Sequence, residues 1–164
     1  MATTEKNLSV YNEENIASAE NMKFGIVVSE WNEAITEALR DGAVNTLINF
    51  QAKKENIIIK TVPGSFELTL GAKLLADYSE VDAVICLGCV IQGETRHFEF
   101  ICQGVTKGIT DLNLDYGIPF VFGVLTTDNL VQAKERAGGK HGNKGDEAAI
   151  TAIKMVALKR ELNQ

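Results

Sequence analysis

The sequence predicts a three-layer α/β/α sandwich on a four-stranded parallel sheet, and three observations carry that prediction. Four short apolar runs, at residues 24–28, 56–62, 83–91 and 120–125, alternate with stretches of helical periodicity, the pattern of successive βαβ units. The runs are nearly continuous in apolar residues, as strands are when both faces of a sheet are covered. The chain has 164 residues, the length of one domain. Folding at that size buries roughly 70% of the surface of the unfolded chain, so no cross-links are needed.

Each element follows in order. Residues 1–22 are polar, with Leu8, Val10, Tyr11 and Ile16 as sparse apolar points. They read as an N-terminal arm, loose or ordered against a partner, ahead of a domain spanning 23–164. After the first strand, Ala34, Ile35, Ala38, Leu39, Gly42, Ala43, Leu47 and Ile48 recur at helical spacing. Pro63-Gly64 stops the second strand. Phe66, Leu68, Leu70, Ala72, Leu74 and Leu75 then mark a helix ending near Asp77. Gly93 closes the third strand, and a third helix runs from Arg96 to Leu114 on Phe98, Ile101, Val105 and Ile109. The fourth strand follows the Gly117-Ile118-Pro119 turn. Thr127 or Asp128 caps a short helix to Ala137, Gly138-Gly139 breaks it, and a last helix covers Lys144 to Leu162. Right-handed crossovers leave few topologies for this order; the one expected is flavodoxin-like, with strand order 2-1-3-4.

Composition narrows the function. Net charge is −6, which argues against a general nucleic-acid or anionic-membrane surface but not against a local anion site. No apolar run approaches the ~20 residues of a membrane span, and the polar start has no signal core, so the expected location is the cytoplasm. Cys86 and Cys89 form a C-x-x-C inside the third strand. Residues three apart in a strand point to opposite faces and lie about 10 Å apart, whereas a disulfide needs Cα atoms within about 7 Å. With no second ligand pair for zinc, these cysteines and Cys102 read as structural.

In open parallel sheets, ligands bind beyond the carboxyl ends of the strands. The junctions there are Ser29-Glu-Trp-Asn32, Pro63-Gly-Ser-Phe-Glu67, Gly88-Cys-Val-Ile-Gln-Gly-Glu-Thr-Arg-His97 and Gly123-Val-Leu-Thr-Thr-Asp128. They hold the single Trp and one of the two His. Trp31 at such a junction is either a core residue or a flat surface for a ligand. Gly93-Glu94-Thr95 is either a turn with an N-cap or a helix start that holds an anion. His97 is either a surface residue or a proton shuttle. Arg136 and the stretch Lys140 to Lys144 form a basic cluster: a solvated face, or a phosphate grip. Together they suggest a site for a phosphorylated small molecule.

Four segments carry a resemblance. Val62-Pro-Gly-Ser-Phe-Glu-Leu68 resembles the V-P-G-[AS]-[FY]-E-[IL] signature of lumazine synthases. Gly88-Cys-Val-Ile-Gln-Gly-Glu-Thr-Arg-His-Phe-Glu99 is similar to their G-x-V-I-x-G-x-T-x-H-[FY] segment. Phe122-Gly-Val-Leu-Thr-Thr-Asp-Asn129 is similar to F-G-[VI]-[LV]-T-T-x-[ND], and Glu135-Arg-Ala-Gly-Gly-Lys-His-Gly-Asn-Lys-Gly145 to E-R-A-G-x-K-x-G-N-K-G. The likeness runs from Lys23 to Leu162.

The resemblance implies condensation of 5-amino-6-ribitylaminouracil with 3,4-dihydroxy-2-butanone 4-phosphate to 6,7-dimethyl-8-ribityllumazine, phosphate and water. It implies Trp31 as the stacking surface, with Ser65, Phe66, Glu67, Cys89, Val90 and Ile91 binding the pyrimidine, mostly through backbone. Phe122 lines the pocket, and Glu94, Thr95, Arg136 and Lys144 bind phosphate. His97 is the implied catalytic histidine and Glu147 its support. The chemistry calls for no metal and no cofactor. Trp31 stands where many members have Phe, and Gln92 where some have Arg. Members form pentamers with sites at subunit interfaces, and the short linker 138–145 resembles that of members building icosahedral shells. In such a shell the arm packs on a neighbour, and the interior is where a riboflavin synthase partner would sit.

Competing readings are a flavin- or nucleotide-binding module without catalysis, and an archaeal-type riboflavin synthase. The Glu94–Thr95 and Arg136 phosphate set argues against the latter, whose substrate carries no phosphate. A receiver domain fails because the third strand ends in Cys and Gly, with no aspartate to phosphorylate.

Overall fold

Strands β1 (Phe24–Ser29), β2 (Ile57–Val62), β3 (Ala83–Ile91) and β4 (Phe120–Thr127) form one sheet in the order β2-β1-β3-β4. All three pairings are parallel, as expected; Phe24 lies beside both Ile57 and Ala83, and Val84 beside Phe120. This computed structural model describes residues 16–163. Helices α1 (Glu33–Asn49), α2 (Leu68–Tyr78), α3 (His97–Tyr116), α4 (Leu130–Glu135) and α5 (Lys144–Leu162) complete the domain, with a small antiparallel pair, β5 (Ala137–Gly139) and β6 (Gly142–Asn143).

The strand alternation divides the interior into two cores. Phe24, Ile26, Ile85 and Leu87 face α1 and α5, where they meet Leu39, Ala43, Leu47, Ala152, Ile153 and Val156. Val27, Val84, Cys86 and Val124 face α2 and α3, against Leu68, Ala72, Leu75, Val105 and Ile109. Burying each large aliphatic side chain contributes about 1.5–3 kcal/mol. Cys86 lies in the second core and Cys89 in the first, on opposite faces as the strand geometry requires. Burial pushes the thiols up, to about 12 for Cys86 and about 11 for Cys89, so neither is a thiolate at neutral pH.

Gly145 explains how α5 starts so close to α1. A Cβ there would collide with the carbonyl oxygen of Leu39. Asn143 completes the contact: its side chain donates to Ala38 O (2.9 Å) and accepts from Gly145 N (2.8 Å).

Several boundaries differ from expectation. The second helix begins at Leu68, because Ser65–Glu67 form a 3₁₀ turn. Asn129 caps α4, accepting from Gln132 N at 3.0 Å. Neither Thr127 nor Asp128 does so: Thr127 ends β4 and donates its hydroxyl to Asn129 O (3.1 Å), and Gln132 Oε1 accepts from Asp128 N (3.0 Å). α3 continues to Tyr116, where Gly117 at φ 61° supplies the left-handed C-cap. Gly138 and Gly139 do more than break a helix, since they belong to the β5–β6 pair.

Residues 16–22 pack on the body of the chain: Ala19 and Met22 are buried in the first core, and Ala19 N donates to Phe50 O (2.7 Å). Leu8, Val10 and Tyr11 of the expected arm lie outside the described residues. On the α2/α3 side, Leu70, Leu74, Tyr78, Phe100 and Leu114 are exposed. No helix among the described residues is long and apolar enough to cross a membrane.

Candidate active-site cleft

The ends of β1, β2 and β3 are tied together. Glu30 N donates to Val62 O (2.8 Å) and Trp31 N to Pro63 O (3.1 Å). Asn32 takes a left-handed conformation (φ 63°, ψ 44°), which asparagine tolerates better than most residues, and its Nδ2 donates to Cys89 O (2.9 Å). That kink turns the chain from β1 into α1 and leaves the Trp31 indole 73% exposed at the rim. Trp31 is therefore not a core residue.

Below it opens a cleft of about 800 Å³. Trp31 and Asn32, the turn from Pro63 to Glu67, Cys89, Val90 and Ile91, Gly93 and Thr95, and His97, Phe98 and Ile101 line it. That volume falls within the ~300–1,000 Å³ of small-molecule sites. Gly88 of β3 packs behind the Ser65 turn, where a Cβ would sit 2.7 Å from Ser65 Oγ. Glycine there lets the Ser65 turn settle against β3. His97 is the first residue of α3 and exposed, its backbone N donating to Thr95 Oγ1 (3.3 Å). Gln92 Nε2 donates to Gly93 O (2.7 Å) and its backbone N to Thr127 O (2.8 Å), which fixes the loop leading into α3. Glu94 is exposed on that loop.

The remaining expected residues lie elsewhere on the chain. Phe122, Lys144 and Glu147 line a second cavity of about 370 Å³ at the open edge of β4, between Asn113 of α3 and Thr151 and Met155 of α5. Glu147 is 5% exposed and accepts from Lys144 Nζ at 2.6 Å; within one chain it supports that lysine and not His97. Arg136 follows α4, half-buried, with Nη1 donating to Gln132 O (3.0 Å). It lines neither cavity.

Phe98 and Ile101 line the cleft without having been expected there, and Asn32, named only as part of the first strand-end junction, was given no role of its own. Phe98 and Ile101 share the apolar periodicity of α3, which reads equally as core. Asn32, one residue past Trp31, carried a usable signal: an Asn at a strand-to-helix junction suits a left-handed turn. Among the described residues, no group of three or more His, Cys, Asp and Glu is placed to hold a metal ion.

Fold and cleft define an α/β protein with a cleft of small-molecule size at the carboxyl ends of its strands, an indole at the rim and an imidazole at the wall. The profile of the 6,7-dimethyl-8-ribityllumazine synthase family matches residues 21–160. The chain is 61% identical over 156 residues to the 6,7-dimethyl-8-ribityllumazine synthase of Parabacteroides distasonis, covering 95% of this chain and 98% of that protein. It is 62% identical over 157 residues to that of Cytophaga hutchinsonii (96% and 98%) and 52% identical over 164 residues to that of Phocaeicola vulgatus (100% and 98%). The chain belongs to the lumazine synthase family.

Proposed function

We propose that the protein catalyses the lumazine synthase step of riboflavin biosynthesis, and that the cleft is the pyrimidine half of a site completed by a second copy of the chain. The observation that carries this reading is the gathering of Trp31, the Ser65–Glu67 turn, Cys89–Ile91 and His97 around one cleft in a member of this family. The indole offers a stacking face to the uracil ring, and the turn and strand end offer backbone donors and acceptors to its polar edge.

The second substrate brings phosphate, and the cations suited to it stand apart from the cleft in the same chain. The amine of the pyrimidine adds to the ketone of 3,4-dihydroxy-2-butanone 4-phosphate and water is lost. Phosphate then leaves, and attack of the ribityl-bearing nitrogen on the remaining carbonyl closes the ring with loss of a second water. His97 relays protons between the nitrogen and oxygen atoms that gain and lose them. Thr95 and Glu94 at the start of α3 face the phosphate from the cleft side. Arg136 and Lys144 reach it from a neighbouring copy, whose Phe122 closes the wall. Glu147 of that copy, holding Lys144, then also approaches His97. Pre-orienting two reactants in one pocket supplies part of the acceleration, an effect that can reach about 7–11 kcal/mol.

The apolar side chains exposed on α2 and α3 support association of copies into the pentamer typical of the family. The short 138–145 linker supports a shell of pentamers, in which a riboflavin synthase is the natural enclosed partner. The cytoplasm is the proposed location.

The test mixes purified protein with both substrates and follows lumazine fluorescence and phosphate release. Matched formation of both, weakened in Arg136→Ala and His97→Ala, supports the reading. A folded wild-type sample that takes up flavin but forms no lumazine favours a binding module instead.

A further inference from the structure

Arg136 and Lys144 are eight positions apart in sequence, yet their backbones touch: Lys144 N donates to Arg136 O at 2.9 Å. The loop between them is the β5–β6 pair. Its strands have three and two residues, and Gly138 (φ 105°) and Gly142 (φ 76°) hold conformations that other residues rarely adopt. A hairpin this short and glycine-rich has little stability of its own. Something outside the ladder has to hold it.

At its base, Asn143 anchors the Lys144 side to α1 through Ala38 O, and Arg136 N is tied to Ala133 O of α4 at 3.1 Å. The tip is held at His141. Its backbone N donates to Glu135 O at 2.8 Å, and its Nε2 stands 3.7 Å from Glu135 Oε2. The imidazole is 15% exposed, folded back over the end of α4. Gly139 allows this approach, because a Cβ there would meet the Glu135 Cα at 2.8 Å and Lys134 O at 2.9 Å.

We propose that Glu135 and His141 form a positioning clamp that folds the hairpin onto α4 and so fixes Arg136 and Lys144 at one spacing for a phosphate ester. Neither residue touches substrate; both act through the two cations. The inference rests on the phosphate reading above. The clamp governs the phosphorylated substrate and leaves recognition of the pyrimidine, at the far cleft, untouched.

The experiment measures KM for each substrate, kcat, and the inhibition constant for inorganic phosphate in wild type, His141→Ala, Glu135→Gln and Arg136→Ala. With the clamp variants, KM for the phosphorylated substrate and the phosphate inhibition constant rise about five- to twentyfold, within the hundredfold that a 1 Å misplacement can cost. The pyrimidine KM and kcat at saturation stay within about twofold, the scatter expected where no binding interaction is lost. Unchanged phosphate affinity in both variants overturns the clamp, as does a parallel change in both KM values and kcat, which marks a general structural role. Should His141→Ala fail to fold, Glu135→Gln decides alone. Arg136→Ala separates the two failures: if it too leaves phosphate affinity intact, the phosphate site itself is misassigned.

Discussion

The cleft above β1–β3 and the corner at the edge of β4 are built from different materials. The cleft is mostly apolar and aromatic, with Asn32, Ser65, Glu67, Thr95 and His97 as its polar lining residues, and strand ends held by ties such as Asn32 to Cys89 O. The corner is charged: Lys144 pairs with a buried Glu147 beside Phe122, and Arg136 joins it through the backbone. A stacking slot tolerates low polarity, because a flat heterocycle needs area and a few directed hydrogen bonds. A phosphate grip needs permanent cations, and cations need carboxylates to hold them. On the proposed reading, placing the two on separate faces of one chain keeps the cations from being desolvated in the apolar slot, and each half would act only where copies meet.

The largest effect expected from breaking this comparison is on chemistry. His97→Ala should lower kcat by about 10²-fold or more, the usual share of a general acid–base group, with little change in either KM, in steady-state assays of lumazine formation. A loss confined to KM would move His97 out of the proton path. Next comes the slot. Trp31→Ala should raise the pyrimidine KM by about three- to tenfold, from a stacking contribution of about 0.5–1.5 kcal/mol, whereas Trp31→Phe should recover most of it. An equal rise in the KM of the phosphorylated substrate would contradict the division of labour.

The corner is tested by stability as well as activity. Glu147→Ala leaves the Lys144 ammonium without its partner. Breaking a fully buried pair costs about 3–5 kcal/mol; with Lys144 22% exposed, about 1–3 kcal/mol is expected in denaturant unfolding. Glu147→Ala and Lys144→Met together should restore part of it. The smallest effect concerns Asp146, on the same first turn of α5. Its pKa is raised, chiefly by desolvation and further by the neighbouring Glu147, against a lowering hydrogen bond from Thr46. A carboxyl whose folded pKa is raised binds its proton more tightly when folded. Its stabilising share is therefore full below the unfolded carboxylate range and lost as pH rises through the folded value. Asp146→Asn should raise Tm slightly at pH 7, and that advantage should shrink as pH falls through the raised folded value and be gone below the carboxylate range. An advantage independent of pH would mean that desolvation of Asp146 is not its cause.

Much of the fold was legible because long-range and local signals agree. Continuous apolar strands, helices of the right length and right-handed crossovers left few sheet orders, the expected one among them being the one found, and the alternation within β3 separated Cys86 from Cys89. The cleft residues were legible by position, since the carboxyl ends of strands are where such sheets bind ligands. The β5–β6 hairpin was not: with Ala, Gly and Asn as its strand residues, it has neither apolar alternation nor β-branched side chains, and only its backbone bonds define it. Nor was the cap of α4, where Thr127, Asp128 and Asn129 all carry capping side chains and only the end of β4 decides among them. The separation of Phe122, Lys144 and Glu147 from His97 is a matter of three-dimensional placement, which motif spacing along the chain does not encode.

The most direct test of the account is subunit complementation. His97→Ala and Arg136→Ala proteins, each nearly inactive alone, are dissociated, mixed in equal amounts and reassembled, and lumazine formation is measured. A site shared between copies predicts recovery of activity, because random pairing across a head-to-tail interface joins an intact His97 half to an intact Arg136 half at roughly one interface in four. A mixture of verified hetero-oligomers no more active than its parents would mean that each chain carries both halves of its own site, and the two-copy reading would fall.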